Sequence, residues 1–221
     1  MKFTAMFSRA RTVALVATLA LASTVASAAA VTSFSGGGNF LGIDGSDQTV
    51  GWQFTVASPV DLTVTSLGFW DSTPADPLGQ SHQVGIWTGD GSSLLGSVTV
   101  LTTSALSGAF RYEDVTPFTL TAGESYLIGA AISSPFSDVY TVPATVTTDA
   151  NITLTGSARN GTSAGFSAPW TVTAGNGRIG PNFEFTVGQV GQVPEPSALL
   201  ITLTGLGLMA AVRRPKRATA V

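Results

Sequence analysis

The sequence of 221 residues contains no cysteine and only one histidine, His82. Without cysteine no disulfide can stabilise the fold, and a zinc site of the usual type lacks its sulfur and nitrogen ligands. A serine triad needs a histidine base, and the chain has no G-x-S-x-G motif to accompany His82. We therefore interpret His82 as a structural residue that is hydrogen-bonded within the fold.

Charge is also scarce, at 10% of the residues, and it is unevenly distributed. Seven of the ten basic residues stand near the two ends of the chain. Between positions 31 and 193, three arginines stand against twelve acidic residues, a net charge of −9. Because such a surface repels a phosphate backbone, we expect no nucleic-acid partner.

Residues 1–30 have the organisation of a secretory signal peptide. Three basic residues precede an apolar run at 12–22, which is too short to span a membrane, since a span needs about 20 residues. The run is followed by small residues that fit the A-x-A cleavage pattern, and cleavage after Ala28 or after Ala30 fits it equally well. We therefore predict that signal peptidase removes this segment.

The other end of the chain is predicted to anchor in the membrane. A linker at 189–196 leads into an apolar segment and a basic tail, which together cover 197–217. Sixteen apolar residues in a helix span about 24 Å, and long basic side chains can bridge the remaining distance to the interface. Basic clusters stay on the cytoplasmic side. We therefore predict one transmembrane helix, with the central part of the chain on the opposite side of the membrane.

Three features that follow one another along the C-terminal end of the chain give it a resemblance to a known family. The linker ends in Val193, Pro194, Glu195 and Pro196, the apolar segment follows, and the basic cluster closes the chain. The members of this cluster are Arg213, Arg214, Lys216 and Arg217. Residues 193–217 resemble the PEP-CTERM sorting signal of Gram-negative bacteria, a module that is sometimes labelled an ice-binding-protein C-terminal domain. A plain membrane anchor after a proline-rich linker is the alternative.

The resemblance implies a route out of the cell. In that family an inner-membrane exosortase, which is a cysteine transpeptidase, is thought to process the chain near the Pro-Glu-Pro motif. The implied location is transient anchoring in the inner membrane, followed by the outer surface or the extracellular matrix. The two prolines favour an extended backbone that a protease-like cleft could grip.

The central part, 31–188, shows the alternating hydrophobicity of β-strands. Val50, Trp52, Phe54 and Val56 alternate with small or polar residues, which predicts a strand with one buried face. The phase of the next apolar run changes near Thr65 and Ser66, which predicts a β-bulge. A hairpin is predicted at 82–101, and further strands at 109–112, 115–120, 125–132, 138–142, 151–156 and 182–187.

About ten short strands separated by Gly, Pro, Asp and Asn indicate an all-β fold. We predict an antiparallel β-sandwich of jelly-roll or immunoglobulin type. Its aromatic core should contain six residues, which are Trp52, Phe54, Phe69, Trp87, Tyr126 and Phe183. The sequence segments at 51–55, 67–71, 82–87 and 120–126 also resemble those of a family of uncharacterised bacterial sandwich domains. Relatives of this family occur in surface and carbohydrate-associated proteins. This resemblance implies a fold, not a reaction.

Two kinds of binding residue are predicted in this domain. Trp70 ends a predicted strand and Trp170 follows Pro169, so we expect both rings to be exposed and able to stack on sugar faces. Two acidic loops offer oxygen ligands for Ca²⁺, the only cofactor that the sequence suggests. The aspartates of these loops are Asp44, Asp47, Asp71 and Asp76. The EF-hand spacing is absent, and solvated acidic loops are the alternative.

We therefore predict an exported, non-catalytic surface or matrix protein that is associated with exopolysaccharide or biofilm. One alternative is a secreted glycan-active enzyme, which needs two carboxylates. Glu184 should alternate outward between two phenylalanines, too exposed to have a raised pKa. Another alternative is an ice- or surface-binding protein, but the threonine-rich runs at 145–148 and 153–155 are irregular.

Overall fold

The computed structural model describes residues 27–41, 47–133, 138–161 and 164–188. All regular elements in these ranges are β-strands, as the sequence predicts. The strands are β1 (Ala28–Ala29), β2 (Val31–Ser35), β3 (Gly38–Phe40), β4 (Gln48–Val56), β5 (Leu62–Trp70), β6 (His82–Thr88), β7 (Leu94–Val100), β8 (Ala105–Ser107), β9 (Phe110–Leu120), β10 (Ser125–Ile132), β11 (Tyr140–Val142), β12 (Thr145–Thr148), β13 (Ile152–Arg159), β14 (Thr171–Thr173) and β15 (Pro181–Val187). These ranges contain no helix of the length and hydrophobicity that a membrane crossing requires.

Two large antiparallel sheets form the body of the domain. The five-stranded sheet has the order β1-β15-β5-β9-β8, and the six-stranded sheet has the order β14-β13-β4-β10-β6-β7. Two short ribbons, β11 with β3 and β12 with β2, complete the fold. The prediction of an antiparallel all-β fold is thus confirmed, and the arrangement is sandwich-like.

Aromatic side chains join the inner faces of the two sheets. The ring of Phe54 in β4 lies 5.0 Å from that of Phe183 in β15, and both are fully buried. Trp52 donates its indole N–H to the carbonyl of Pro181 at 2.9 Å, which removes the cost of burying a polar group. Four of the six predicted core aromatics have no exposed surface, namely Trp52, Phe54, Phe69 and Phe183.

The alternating pattern located most of the long strands. The prediction of a strand at 125–132 coincides with β10. The bulge expected near Thr65 and Ser66 appears in the pairing with β15, where Ser66 pairs with Glu184 and Val64 with Phe185, so Thr65 is the extra residue. One strand, β9, replaces the two that were predicted at 109–112 and 115–120. The gap that was predicted between these strands does not interrupt β9, because Glu113 pairs with Leu67 and Asp114 with Ser66 of β5.

The outer face of the five-stranded sheet is covered by the chain that enters the domain. In β2, Phe34 packs edge-on against Trp70, with 5.3 Å between ring centroids, and lies 6.0 Å from Phe110. The side chain of Asn182 lies beneath this strand, fully buried, and bonds to Val31 and Tyr112. The short strand β2 is therefore held by side chains as well as by its ribbon partner β12.

Candidate functional site

A row of small residues crosses the outer face of the six-stranded sheet. Gly51, Gly129 and Gly85 are register partners on β4, β10 and β6, and Ala158 of β13 extends the row. Since glycine has no side chain, the row leaves a groove on this face. A methyl group at Gly129 would lie 3.1 Å from Pro169, and one at Gly85 would lie 2.9 Å from the ring of Phe166. The groove is therefore filled by the segment that contains Phe166 and Pro169.

This covering segment, residues 164–170, is fixed by packing and by hydrogen bonds. The rings of Phe166 and Trp87 are 5.0 Å apart, and Trp87 is buried in a small outer cluster with Leu127, Ala158 and Ala168. The carbonyl of Gly165 accepts hydrogen bonds from the Thr49 hydroxyl at 2.9 Å and from the Asn160 amide at 3.0 Å. Trp87 is thus buried as expected, but outside the core that lies between the sheets.

Trp170 lies at the end of the covering segment and presents its side chain to solvent. It is 57% exposed, the highest fraction among the large apolar residues described as exposed. Its backbone N–H donates to the carbonyl of Ala168 at 3.0 Å, and Pro169 fixes the preceding backbone. The turn of the β6–β7 hairpin lies against it, because a methyl group on Gly91 would be 3.1 Å from Ala168 Cβ and 3.9 Å from Trp170 Cβ. An exposed ring on a fixed backbone is suited to stacking on a ligand.

The hairpin turn at 89–92 also forms one wall of a polar cleft of about 520 Å³. Glu124 and Ser125 line the opposite wall, and Asp90 and Ser92 line the turn. The Thr88 hydroxyl donates to Asp90 at 2.6 Å and the Ser92 N–H donates to it at 3.0 Å, which lowers the pKa of Asp90 to about 2. We call Trp170 together with this cleft the Trp170 surface. Its two carboxylates give it a negative charge that disfavours anionic ligands.

The two tryptophans predicted to bind glycans do not share a surface. Trp70 is half-buried on the outer face of the five-stranded sheet, where Phe34 covers it. Trp170 belongs to the covering segment of the six-stranded sheet. Of these two rings, only Trp170 combines wide exposure with a neighbouring cleft.

The four aspartates considered for calcium are in different environments. Asp44 lies outside the described residues, while Asp47 and Asp76 are exposed. Asp71 is 2% exposed, and its two oxygens accept from Arg111 Nε at 2.7 Å and from the Thr73 N–H at 3.0 Å. The guanidinium already neutralises the Asp71 carboxylate, which therefore serves as an anchor between β5 and β9. In the described part of the chain, no three acidic or histidine side chains come together as a metal site.

His82, interpreted from the sequence as structural, is fully buried at the start of β6. Its Nδ1 lies 2.9 Å from the carbonyl oxygen of Ala131 and its Nε2 lies 3.0 Å from Oδ2 of Asp138. The ring stacks on Phe69 of the opposite sheet at 3.7 Å between centroids. The sequence does not predict the contact with Asp138, because nothing in a local pattern connects this residue with a histidine 56 residues away.

Glu184 differs from the expectation that it is too exposed to have a raised pKa. Burial raises its pKa, and the nearby Asp114 carboxylate adds to the effect. Burial also raises the pKa of Tyr112, with a further contribution from the charge of Glu184. The expectation was wrong because Glu184 lies between its neighbours Ala29 of β1 and Ser66 of β5, which leave it only partly exposed.

The residues predicted to direct export lie mostly outside the described part of the chain. These are the signal segment up to residue 26, the motif from Val193 to Pro196 and the basic cluster from Arg213 to Arg217. Ala28 and Ala30, the two candidate cleavage positions, are described and contact β15. A scan against protein-family models gives no match, and searches of curated proteins and of solved structures also find no similar chain.

Proposed function

We propose that this protein is an exported, non-catalytic component of the cell surface or extracellular matrix of a Gram-negative bacterium. In this proposal signal peptidase trims the N-terminal end, an exosortase-type transpeptidase processes the chain near the Pro-Glu-Pro motif, and the β domain associates with exopolysaccharide. The domain is a sandwich of jelly-roll or immunoglobulin type. The route is supported by the order of charged, apolar and Pro-Glu-Pro segments at the two ends of the sequence.

The observation that carries the binding role is the position of Trp170. Its ring is exposed, its backbone is held by Pro169 and by the bond to Ala168, and a polar cleft lies beside it. Sugars are bound in this way, since an aromatic ring contacts the apolar face of a pyranose while polar groups bond to its hydroxyls. The charges of Asp90 and Glu124 favour a neutral or amino-sugar polymer over a polyuronate.

Binding to matrix polysaccharide tests this role directly. The exported protein is incubated with purified neutral exopolysaccharide, and retention is compared between wild type and Trp170→Ala. We expect retention to weaken at least about tenfold, which corresponds to 1.4 kcal/mol. Phe40→Ala is the matched control, because Phe40 is also an exposed aromatic, at 48%, but lies on the separate ribbon formed by β3 and β11. Equal loss in both variants, or no loss in either, contradicts the proposal.

A second candidate, the glycan-active enzyme, is favoured by one observation. The raised pKa of Glu184 beside Asp114 is a feature of general acids in glycosidases, which also need a second carboxylate. If this candidate is correct, the protein releases reducing ends from a glycan and Glu184→Gln abolishes the release. Trp170→Ala would then leave this release unchanged, because Trp170 lies over the six-stranded sheet and Glu184 lies on the five-stranded one.

A further inference from the structure

The first described residues lie along the edge of the five-stranded sheet. Ala28 pairs with Phe185 and Ala29 with Glu184. Ala30 is fully buried; its N–H donates to the carbonyl of Phe183 at 2.9 Å, and its own carbonyl accepts from the Asp149 N–H at 2.9 Å. Ala30 is therefore part of the folded domain, although it also matches the last position of a signal-peptide cleavage pattern.

The next residue satisfies a buried amide. The Val31 N–H donates to Asn182 Oδ1 at 3.0 Å, and Asn182 Nδ2 donates to the Val31 carbonyl at 3.0 Å. Val31 is 1% exposed and Asn182 has no exposed surface. The site is built for a neutral backbone amide, and it offers no carboxylate to the nitrogen of Val31.

Cleavage after Ala30 would convert this amide nitrogen into a charged α-ammonium group in a buried position. Burying a charge without a counter-charge is strongly unfavourable. The same cut would remove the N–H that bonds to Phe183 and the carbonyl that bonds to Asp149. In the product, the carbonyl of Phe183 on β15 would lack its hydrogen-bond donor, and the α-ammonium group of Val31 would lie in the packed interior.

Cleavage after Ala28 places no charged group in the interior, although it removes the pair that Ala28 forms with Phe185 at the end of the β1–β15 ladder. Because Ala30 and Phe183 form a hydrogen-bonded pair, the neighbouring pair of Ala29 and Glu184 is a non-hydrogen-bonded one, in which the Ala29 nitrogen points away from β15. Ala29 is only partly buried, so an ammonium group there can be solvated. All bonds of Ala30 and Val31 are retained.

We infer that signal peptidase hydrolyses the bond between Ala28 and Ala29, so that the mature domain begins at Ala29. Water supplies the hydroxyl group to the carbonyl carbon of Ala28 and a proton to the nitrogen of Ala29. The enzyme acts on the unfolded chain during export, and the fold decides which product is stable. This inference rests on the proposed export by a signal peptide.

The test is N-terminal sequencing of the full chain after expression and export in a Gram-negative host. We expect the sequence Ala29-Ala30-Val31. A mature protein that begins with Val31 overturns the inference but leaves the export proposal intact. An uncut chain that begins with Met1 contradicts the export proposal, and this inference with it.

Variants of the cleavage pattern make the test sharper. Ala26→Leu places a large residue three positions before the Ala28–Ala29 bond and leaves Ala28 and Ala30 unchanged. We expect uncut chain, or a product that begins at Val31 and melts at least about 5 °C lower than the wild-type product. Ser27→Leu changes the unrestricted middle position and is the control, with normal cleavage expected. Wild-type processing of the Ala26 variant, or equal Tm values of the two products, would overturn the inference.

Discussion

Nε2 of His82 and Oδ2 of Asp138 lie 3.0 Å apart, and both residues are buried. The same carboxylate accepts hydrogen bonds from the backbone N–H groups of Gly79 and Gln80, each at 2.9 Å. His82 is fixed in turn by the carbonyl of Ala131 and by the ring of Phe69. One acidic side chain therefore joins the start of β6, the loop before it and the chain that precedes β11.

Because of this pair, we expect the free energy of unfolding to decrease at acidic pH. Burial raises the pKa of Asp138, but the hydrogen bonds from His82, Gly79 and Gln80 outweigh it, so its pKa lies below the usual value of 3.8. A carboxyl group with a depressed folded-state pKa adds stability above its unfolded-state pKa, and this is lost as the pH falls through the folded-state pKa. Asp138→Asn should lower the free energy of unfolding by about 2 kcal/mol at neutral pH, and by less below about pH 4.

Urea unfolding of the wild type and the variant at several pH values measures this difference. Asp76→Asn is the control, because Asp76 is exposed and should leave the unfolding curves unchanged. A difference between wild type and Asp138→Asn that stays constant down to about pH 3 would show that the Asp138 charge does not stabilise the fold.

The two tryptophans should differ in stability as well as in binding. Trp70→Ala removes a ring that packs against Phe34 and the core, and we expect a loss of about 2 kcal/mol in the free energy of unfolding. Trp170→Ala removes a mostly exposed ring, and we expect a change within about 0.5 kcal/mol. Thermal and urea unfolding check both values. A large loss in the Trp170 variant would mean that its ring supports the covering segment rather than a ligand.

Among the polar residues on the outer face of the five-stranded sheet, we expect substitution of Asn182 to reduce stability the most. Asn182→Ala leaves the Val31 N–H, the Val31 carbonyl and the Tyr112 hydroxyl without their buried partner. We expect a loss of about 3 kcal/mol and faster hydrogen exchange at Val31. Tyr112→Phe removes a single bond to the same amide and should cost about 1 kcal/mol. Similar effects of the two substitutions would contradict the account of this network.

The glycine row couples the sheet to the Trp170 surface. A methyl group at Gly129 would lie 2.5 Å from Thr49 Cγ2 and 3.1 Å from Pro169. The Thr49 side chain must therefore move, and its hydroxyl holds the carbonyl of Gly165 in the covering segment. Gly129→Ala should therefore cost about 2 kcal/mol of stability and weaken polysaccharide retention. Gly161→Ala is the matched control, since no atom lies within 4 Å of the added methyl group. Retention at the wild-type level in the Gly129 variant would show that the segment does not position Trp170.

The alternation of apolar and polar residues predicted those features of the fold that depend on the sequence of a single strand. Alternation gave the position of β10, and the phase change in β5 gave its bulge at Thr65, because each depends on which side chains face the core. The strands that were not predicted are short, such as β2, β8 and β14. They are stabilised by hydrogen bonds to the strands with which they pair. No local signal marks such partners in advance.

The candidate site shows the same limit. The exposure of Trp170 was expected from its place after Pro169, whereas the cover over Trp70 depends on Phe34, which is distant in sequence. Trp87 was expected in the core because it was assigned to the apolar face of its strand, but its position one residue after the core residue Ile86 directs it to the outer face. Periodicity gives the face of a strand, and only the tertiary structure shows what covers that face.

The intact mass of the protein in separated cell fractions tests the central claim most directly. We expect the culture supernatant and the outer surface to contain a chain that starts at Ala29 and lacks the apolar segment and basic tail at 197–221. A full-length mass corresponding to residues 1–221, found in the cytosol, would contradict the account.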